Sequence, residues 1–180
     1  MSRGVLHLVV GPSGAGKDAL IDALRAERPD LHVPVRVVTR AADAGGETHE
    51  AADPEAFAAR AAEGGFALSW EAHGLRYGVP AEMADRLAEG RHVLVNVSRA
   101  VIEDARARFA PLRVLRVDAP AEIRARRLAG RGRESEPEIA ARLARRVQKP
   151  VEGPDVVAID NSGPIGRAVE AALAALAPAP

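Results

Sequence analysis

The chain has 180 residues, a formal net charge of zero, 47% hydrophobic and 28% charged residues, values expected of one compact domain with a full core. Neutral charge gives no support to bulk nucleic-acid binding, and no apolar run is long enough to span a membrane. The absence of cysteine excludes disulfides, thiolate zinc sites and a cysteine nucleophile.

The first predicted element is a strand, Val5-Leu6-His7-Leu8-Val9-Val10, followed by Gly11-Pro12-Ser13-Gly14-Ala15-Gly16-Lys17-Asp18 and the helical pattern Ala19 to Arg25. Strand, glycine loop and helix are the context of a phosphate-binding loop. Glycines let backbone N–H groups converge on phosphate oxygens, and the helix N-terminus adds its dipole. Lys17 would reach the outer phosphates. Asp18 stands where Ser or Thr usually ligates magnesium; it is either a metal-directed carboxylate or a favourable charge at a helix start. The competing reading of the whole stretch is a Gly-rich turn. Its lysine is notable, because the chain has only two, Lys17 and Lys149, against a background of arginine.

The remaining pattern alternates. Val33 to Val38 reads as a strand near an edge, since Pro34 cannot donate to a ladder. Asp53-Pro54-Glu55 opens a helix with Phe57 and Ala61 on one face, and Phe66 to Trp70 is a short strand. Pro80 opens a helix closed by Gly90, with Met83 and Leu87 four apart. Val93 to Val97 reads as a strand covered on both faces, followed by a helix over 100–109. Strand 113–117, helices after Pro120 and Ser135, strand 156–159 and a helix from Ile165 complete the chain, with a frayed tail over 177–180. Such alternation predicts an α/β fold, a parallel sheet flanked by helices with loop functions along its carboxyl edge. Ser135 and Glu138 form a predicted capping box, and Ile139, Leu143 and Val147 share the buried stripe of their helix.

Three more clusters look chemical: Thr39-Arg40 with the segment to Glu50, the stretch from Trp70 to Pro80, and the arginine-rich Arg124 to Arg133. Phosphoryl transfer needs cations around the transferred group and accurate positioning, which an arginine-rich lid over a glycine loop supplies. Arg131, Arg133 and Arg142 are the predicted functional arginines; Arg124, Arg126, Arg145 and Arg167 read as solvated. His7 and His92 read as structural, and His49 and His73 lack the spaced partners of a metal site.

These clusters, in this order, resemble the guanylate-kinase-like branch of the nucleoside-monophosphate kinases over essentially the whole chain. The narrower resemblance is to the ribose 1,5-bisphosphate phosphokinases of bacterial phosphonate breakdown. It is carried by Gly11 to Asp18, Thr39-Arg40, Gly45 to His49, Ala67 to Trp70, Gly74 to Gly78, Val93 to Arg99 and Arg131 to Glu134. The resemblance implies a P-loop fold with an acceptor-binding insertion over about 39–80 and a lid over about 126–146. It implies a cytoplasmic, magnesium-dependent kinase that uses ATP to convert ribose 1,5-bisphosphate to 5-phosphoribosyl 1-diphosphate, with no nucleic-acid or membrane partner and an open oligomeric state. Lys17, Arg131, Arg133 and Arg142 would act on the transferred group. Gly11, Pro12, Ser13, Gly14, Ala15, Gly16, Lys17 and Asp18 would hold ATP. Arg40, His49, Ser69 and Tyr77 would take the acceptor.

True guanylate kinases carry a Glu, which reads guanine, where Ser69 stands, and an Asp-x-Asp where this chain has Asn96-Val97-Ser98. A tyrosine of theirs is also replaced near His49. A site stripped of its matched polar readers loses discrimination for that base. A guanylate or other nucleotide kinase, and a non-catalytic kinase-shaped interaction module, are the competing readings.

Overall fold

The computed structural model describes residues 3–41, 48–132, 135–144 and 150–178, the side chain of Arg142 excepted. Arg133, Glu134, Arg145, Val147 and the Gly45–Glu47 part of the predicted acceptor segment lie outside the described residues.

Four strands form a wholly parallel sheet: β1 (Leu6–Val10), β6 (Val93–Asn96), β7 (Leu112–Asp118) and β8 (Val156–Asp160), in the order β6-β1-β7-β8. Between β1 and β6 the chain builds a second, mixed sheet. It contains β2 (Val37–Val38), β3 (Glu50–Ala51), β4 (Phe66–Ala72) and β5 (Leu75–Pro80), in the order β3-β2-β5-β4. The helices are α1 (Lys17–Glu27), α2 (Pro54–Ala62), α3 (Glu82–Ala88), α4 (Ile102–Arg108, entered by one 3₁₀ turn), α5 (Ala121–Gly130), α6 (Glu136–Ala144) and α7 (Ile165–Ala175).

β1 is buried along its whole length, His7 included, because both faces of the parallel sheet are covered. Leu6, Leu8, Val93 and Val95 pack with Met83, Leu87, Ile102 and Ala105, whereas Val9, Leu94, Leu115 and Val117 pack with Leu20, Leu24, Ala168 and Ala172. Alternate residues of one strand therefore feed two different cores, with α3 and α4 on one side and α1 and α7 on the other. β1 has its successors β6 and β7 on opposite sides, so the loop that follows it opens into a crevice at a point where strand order reverses.

Several expectations change. The run 33–38 forms a strand only at Val37–Val38, and β2 lies inside the second sheet rather than at an edge. Upstream, His32 makes an isolated parallel bridge to Val93 at the margin of the main sheet. Pro34, which has no N–H, then ends that pairing and the chain crosses to the other sheet. The tail is tied down to Pro178. Ala177 N–H donates to His7 Nε2 (3.1 Å), and His92 Nε2 donates to the Pro178 carbonyl (2.7 Å). His7 and His92 are thus a buried polar fastening between the first strand and the chain end. On α2, Asp53 caps Ala56 N–H and Phe57 is buried, but Ala61 is exposed. At the start of α6 the Glu138 carboxylate accepts from both the backbone N–H and the hydroxyl of Ser135, as the Glu side of the predicted box requires. Of its predicted stripe, Ile139 is buried and Leu143 half-buried.

Candidate active site

β1 ends at Val10 and the chain turns through Gly11 to Gly16 into α1. The turn tolerates no side chain at any of its three glycines, as two of them illustrate. A Cβ on Gly11 would sit 2.1 Å from the Val117 carbonyl oxygen, and one on Gly16, where φ is 87°, would sit 2.5 Å from Asn161 Nδ2. The back of the loop is held by two side chains. Arg127 of α5 donates through Nη1 to the Gly14 and Ala15 carbonyls (3.4 and 3.3 Å) and through Nη2 to the Asn161 carbonyl (2.6 Å). Asn161, just past β8, donates from Nδ2 to the Ala15 carbonyl (2.8 Å). Tying the Ala15 carbonyl rearward turns the next amide N–H, that of Gly16, toward the opposite side, because C=O and N–H of one trans peptide are antiparallel.

Lys17 opens α1 and folds its ammonium back over the loop, donating to the Gly11 and Pro12 carbonyls (2.8 and 3.0 Å). Burial pushes its pKa down to about 8, against the opposing pull of Asp18. Gly16, not Asp18, is the N-cap of α1. The Asp18 carboxylate accepts a hydrogen bond from Asn96 Nδ2 at the end of β6 (3.1 Å), so the unusual loop carboxylate and the unusual strand-end amide meet.

A cavity of about 500 Å³ lies in front of this loop. Its loop wall is Gly11 to Gly14 with Gly16, Lys17 and Asp18; Trp70 and Tyr77 line it from the second sheet, and Arg36, Arg99 and Arg131 add positive charge. A second cavity of about 520 Å³ shares Asp18, Arg36, Asn96 and Arg131 with the first and extends along α1 past Asp22 and Arg25. The neutral chain thus concentrates cations where its glycine loop opens, the electrostatics expected for a polyanion.

The Trp70 and Tyr77 rings are parallel, 2° apart with centroids at 5.4 Å. The Arg36 guanidinium lies over both, 5.6 and 5.4 Å from the centroids, and donates from Nη1 to the Asn96 carbonyl (3.0 Å). Burial lowers its pKa to about 10, with Asp18 partly compensating.

The predicted residues fall into three groups. The glycine loop, Lys17, Asp18, Tyr77 and Arg131 are brought together around the first cavity, with Ala15 buried behind it. Arg40 and His49 join each other. Arg40 Nη2 donates to His49 Nδ1 (3.4 Å), His49 Nε2 donates to the Arg40 carbonyl (3.3 Å), and neither lines the two cavities. Arg40 Nε is buried with no hydrogen-bond partner among the described residues. Ser69 is set apart: it is exposed and pairs with Gly78, while Trp70 is the residue directly opposite Tyr77. Opposed residues of an antiparallel pair share a face, so the cavity sees Trp70 where Ser69 was expected. Arg142 has its backbone in α6 and Arg133 lies outside the described residues. Sequence reasoning passed over Arg36, Arg127 and Asn161 as site residues. An arginine inside the apolar run 33–38 was the available signal for the first, and a polar residue just past a parallel strand was the signal for the last.

No protein-family model matches the chain. It is 48% identical over 95% of its length to the ribose 1,5-bisphosphate phosphokinase PhnN of Brucella melitensis, of which it covers 91%. It is 45% identical over 96% to the protein of the same name in Pseudomonas fluorescens, covering 95% of it. The chain belongs to the ribose 1,5-bisphosphate phosphokinase family. A further relative, the bifunctional ribose 1,5-bisphosphokinase-thymidine phosphorylase of Azorhizobium caulinodans, is 44% identical over 98% of this chain, which spans 26% of that larger protein. Among solved structures, guanylate kinase from Anaplasma phagocytophilum superposes over 97% of the chain and 84% of its own, with a TM-score of 0.68 at 20% identity. A gluconokinase from Sinorhizobium meliloti 1021 follows, with a TM-score of 0.57 at 20% identity over 97% of this chain and 93% of its own. Both similarities concern the fold.

Proposed function

We propose that the chain transfers the γ-phosphoryl group of ATP to the 1-phosphate of ribose 1,5-bisphosphate, giving 5-phosphoribosyl 1-diphosphate and ADP. The bond formed joins an acceptor phosphate oxygen to Pγ; the bond broken joins Pγ to the β,γ-bridging oxygen, whose electrons leave with ADP. The attacking oxygen is already ionised, so no strong general base is required of the protein. What is required is charge neutralisation and alignment. The family membership carries the acceptor, and the cation-lined cavity before the Gly11–Asp18 loop is the observation that supports the chemistry.

Lys17 and the Gly14 to Gly16 amides hold the donor phosphates. Arg131, with Arg133 and Arg142, neutralises the transferred group. Tyr77 and Arg40 take acceptor phosphate, the buried Arg40 Nε having no hydrogen-bond partner among the described residues. His49 orients Arg40 through their paired hydrogen bonds.

Magnesium suits the donor set. It keeps much of its water and needs one or two carboxylates besides phosphate oxygens, and the Asp18 carboxylate, steadied by the Asn96 amide N–H, supplies one beside the loop. Bound there, it would spread the negative charge of the polyphosphate. Among the described residues no cluster of three or more His, Cys, Asp or Glu forms a closed metal cage, and no helix is long and apolar enough to cross a membrane. A cytoplasmic setting, where ATP is supplied, suits the activity.

The experiment is a comparison of kcat/KM for ribose 1,5-bisphosphate and GMP with ATP as donor, with the product identified. Ribose 1,5-bisphosphate should be preferred by orders of magnitude; a preference for GMP would overturn the reading.

A further inference from the structure

Arg36 is a charged residue inside an apolar run, and it is drawn into the interior with its guanidinium laid on an aromatic shelf. Burying a cation is costly unless it meets compensating groups. The ring faces of Trp70 and Tyr77 and the Asn96 carbonyl are among the groups that compensate, and they also fix the plane of the guanidinium. A side chain held this firmly, lining both cavities, is pre-organised for a ligand.

Its place relative to the glycine loop defines which ligand group it meets. The loop belongs to the parallel sheet, while the shelf belongs to the second sheet, and the two face each other as walls of one cavity. Donor phosphates lie on the loop, so the attacked phosphate lies next to Lys17. The rest of the acceptor then extends toward the shelf. A planar nucleobase would need the ring faces that the guanidinium covers. A small sugar bearing a second phosphate needs a cation there instead.

We infer that Arg36 binds the phosphate of the acceptor that is not attacked, the 5-phosphate of a ribose bisphosphate, and by covering the Trp70–Tyr77 shelf denies that space to a base. The inference rests on the acceptor reading above. It makes Arg36 a specificity-determining residue: the planar fork suits bidentate phosphate recognition, and the charge sits where a nucleoside monophosphate carries an uncharged heterocycle.

The test uses calorimetric Kd values for ribose 5-phosphate and ribose 1-phosphate, measured on the native chain and on Arg36→Gln. Glutamine keeps a planar group that can rest on the rings and donate to the Asn96 carbonyl, but removes the charge. Ribose 5-phosphate should bind about tenfold or more weakly to Arg36→Gln, the range for a lost charge-assisted hydrogen bond, while ribose 1-phosphate changes less than about threefold. Should the Gln variant fail to fold, Arg36→Lys restores the charge and should bind ribose 5-phosphate within about tenfold of native. Equal weakening of both ligands, no weakening of either, a Lys variant that loses ribose 5-phosphate entirely, or a native chain that does not bind ribose 5-phosphate would each overturn the assignment. Failure of the acceptor reading itself is seen separately, as absence of ribose 1,5-bisphosphate turnover by the native chain.

Discussion

Lys17 and Asp18 are neighbours in sequence with opposite charges and different tasks. The Lys17 ammonium, held over the loop by the Gly11 and Pro12 carbonyls, stabilises charge that develops as the phosphoryl group moves. Lys17→Ala should therefore lower kcat by about 10²-fold or more, with a cooperative melt retained; near-native turnover in a folded variant would contradict the loop's role. For Asp18 the readout is metal dependence. Asp18→Asn keeps an oxygen able to accept from Asn96 but loses the charge, so the magnesium concentration for half-maximal rate should rise while the melting temperature hardly changes. A carboxylate serving only the helix dipole would show the reverse: lower stability at an unchanged magnesium requirement. In Asp18→Ser with Asn96→Asp the carboxylate returns to the strand end, and metal affinity should recover beyond the sum of the single effects; strict additivity would speak against coupling of the two sites.

At the scale of elements, the sequence was legible where a strong local pattern coincided with burial. β1, the glycine loop and α1 follow directly from an apolar run, glycines and a helical period. The second sheet was less legible because its strands are short, and pairing between distant pieces leaves little local signature: β2 and β3 have two residues each. The same limit applies to Ser69. Which face of β4 a residue takes depends on its register with β5, a property of the pair and not of either strand. α5 illustrates a further blind spot. Its arginines look alike in sequence, yet Arg126 is exposed while Arg127 reaches the back of the loop and joins it to the end of β8. Arg127→Met should weaken ATP binding by about tenfold, since the loop amides lose a charge-assisted anchor, while Arg126→Met leaves it unchanged; calorimetry on both variants tests the contrast.

For the molecule as a whole, the fastening of the chain end to the first strand sets an acid limit. His7 is fully buried, and burial depresses its pKa from 6.5 to about 4. Its neutral form accepts from Ala177 N–H. The unfolded chain binds a proton below about 6.5 that the folded chain takes up only near 4, so stability is complete above that window and falls as pH drops through it. His32 is shifted in the same direction by burial and adds to the effect. Between pH 6.5 and 5 the native chain should lose on the order of 2 kcal/mol more stability than His7→Gln, followed by urea unfolding; parallel pH curves would show that His7 carries no linkage. This fastening was half legible. A histidine inside an apolar strand reads as structural, but nothing in the Ala-Pro tail announces its partner.

The scarcity of lysine has a practical consequence for labelling chemistry. The chain offers two ε-amines, Lys17 and Lys149, and the pKa of the first is held near 8 by its enclosure. In mildly alkaline solution an appreciable fraction of Lys17 is the neutral, nucleophilic amine, whereas an ordinary lysine near 10.4 remains almost wholly protonated. An acylating reagent small enough to enter the cavity thus converts occupancy of the phosphate loop into the mass of a single peptide.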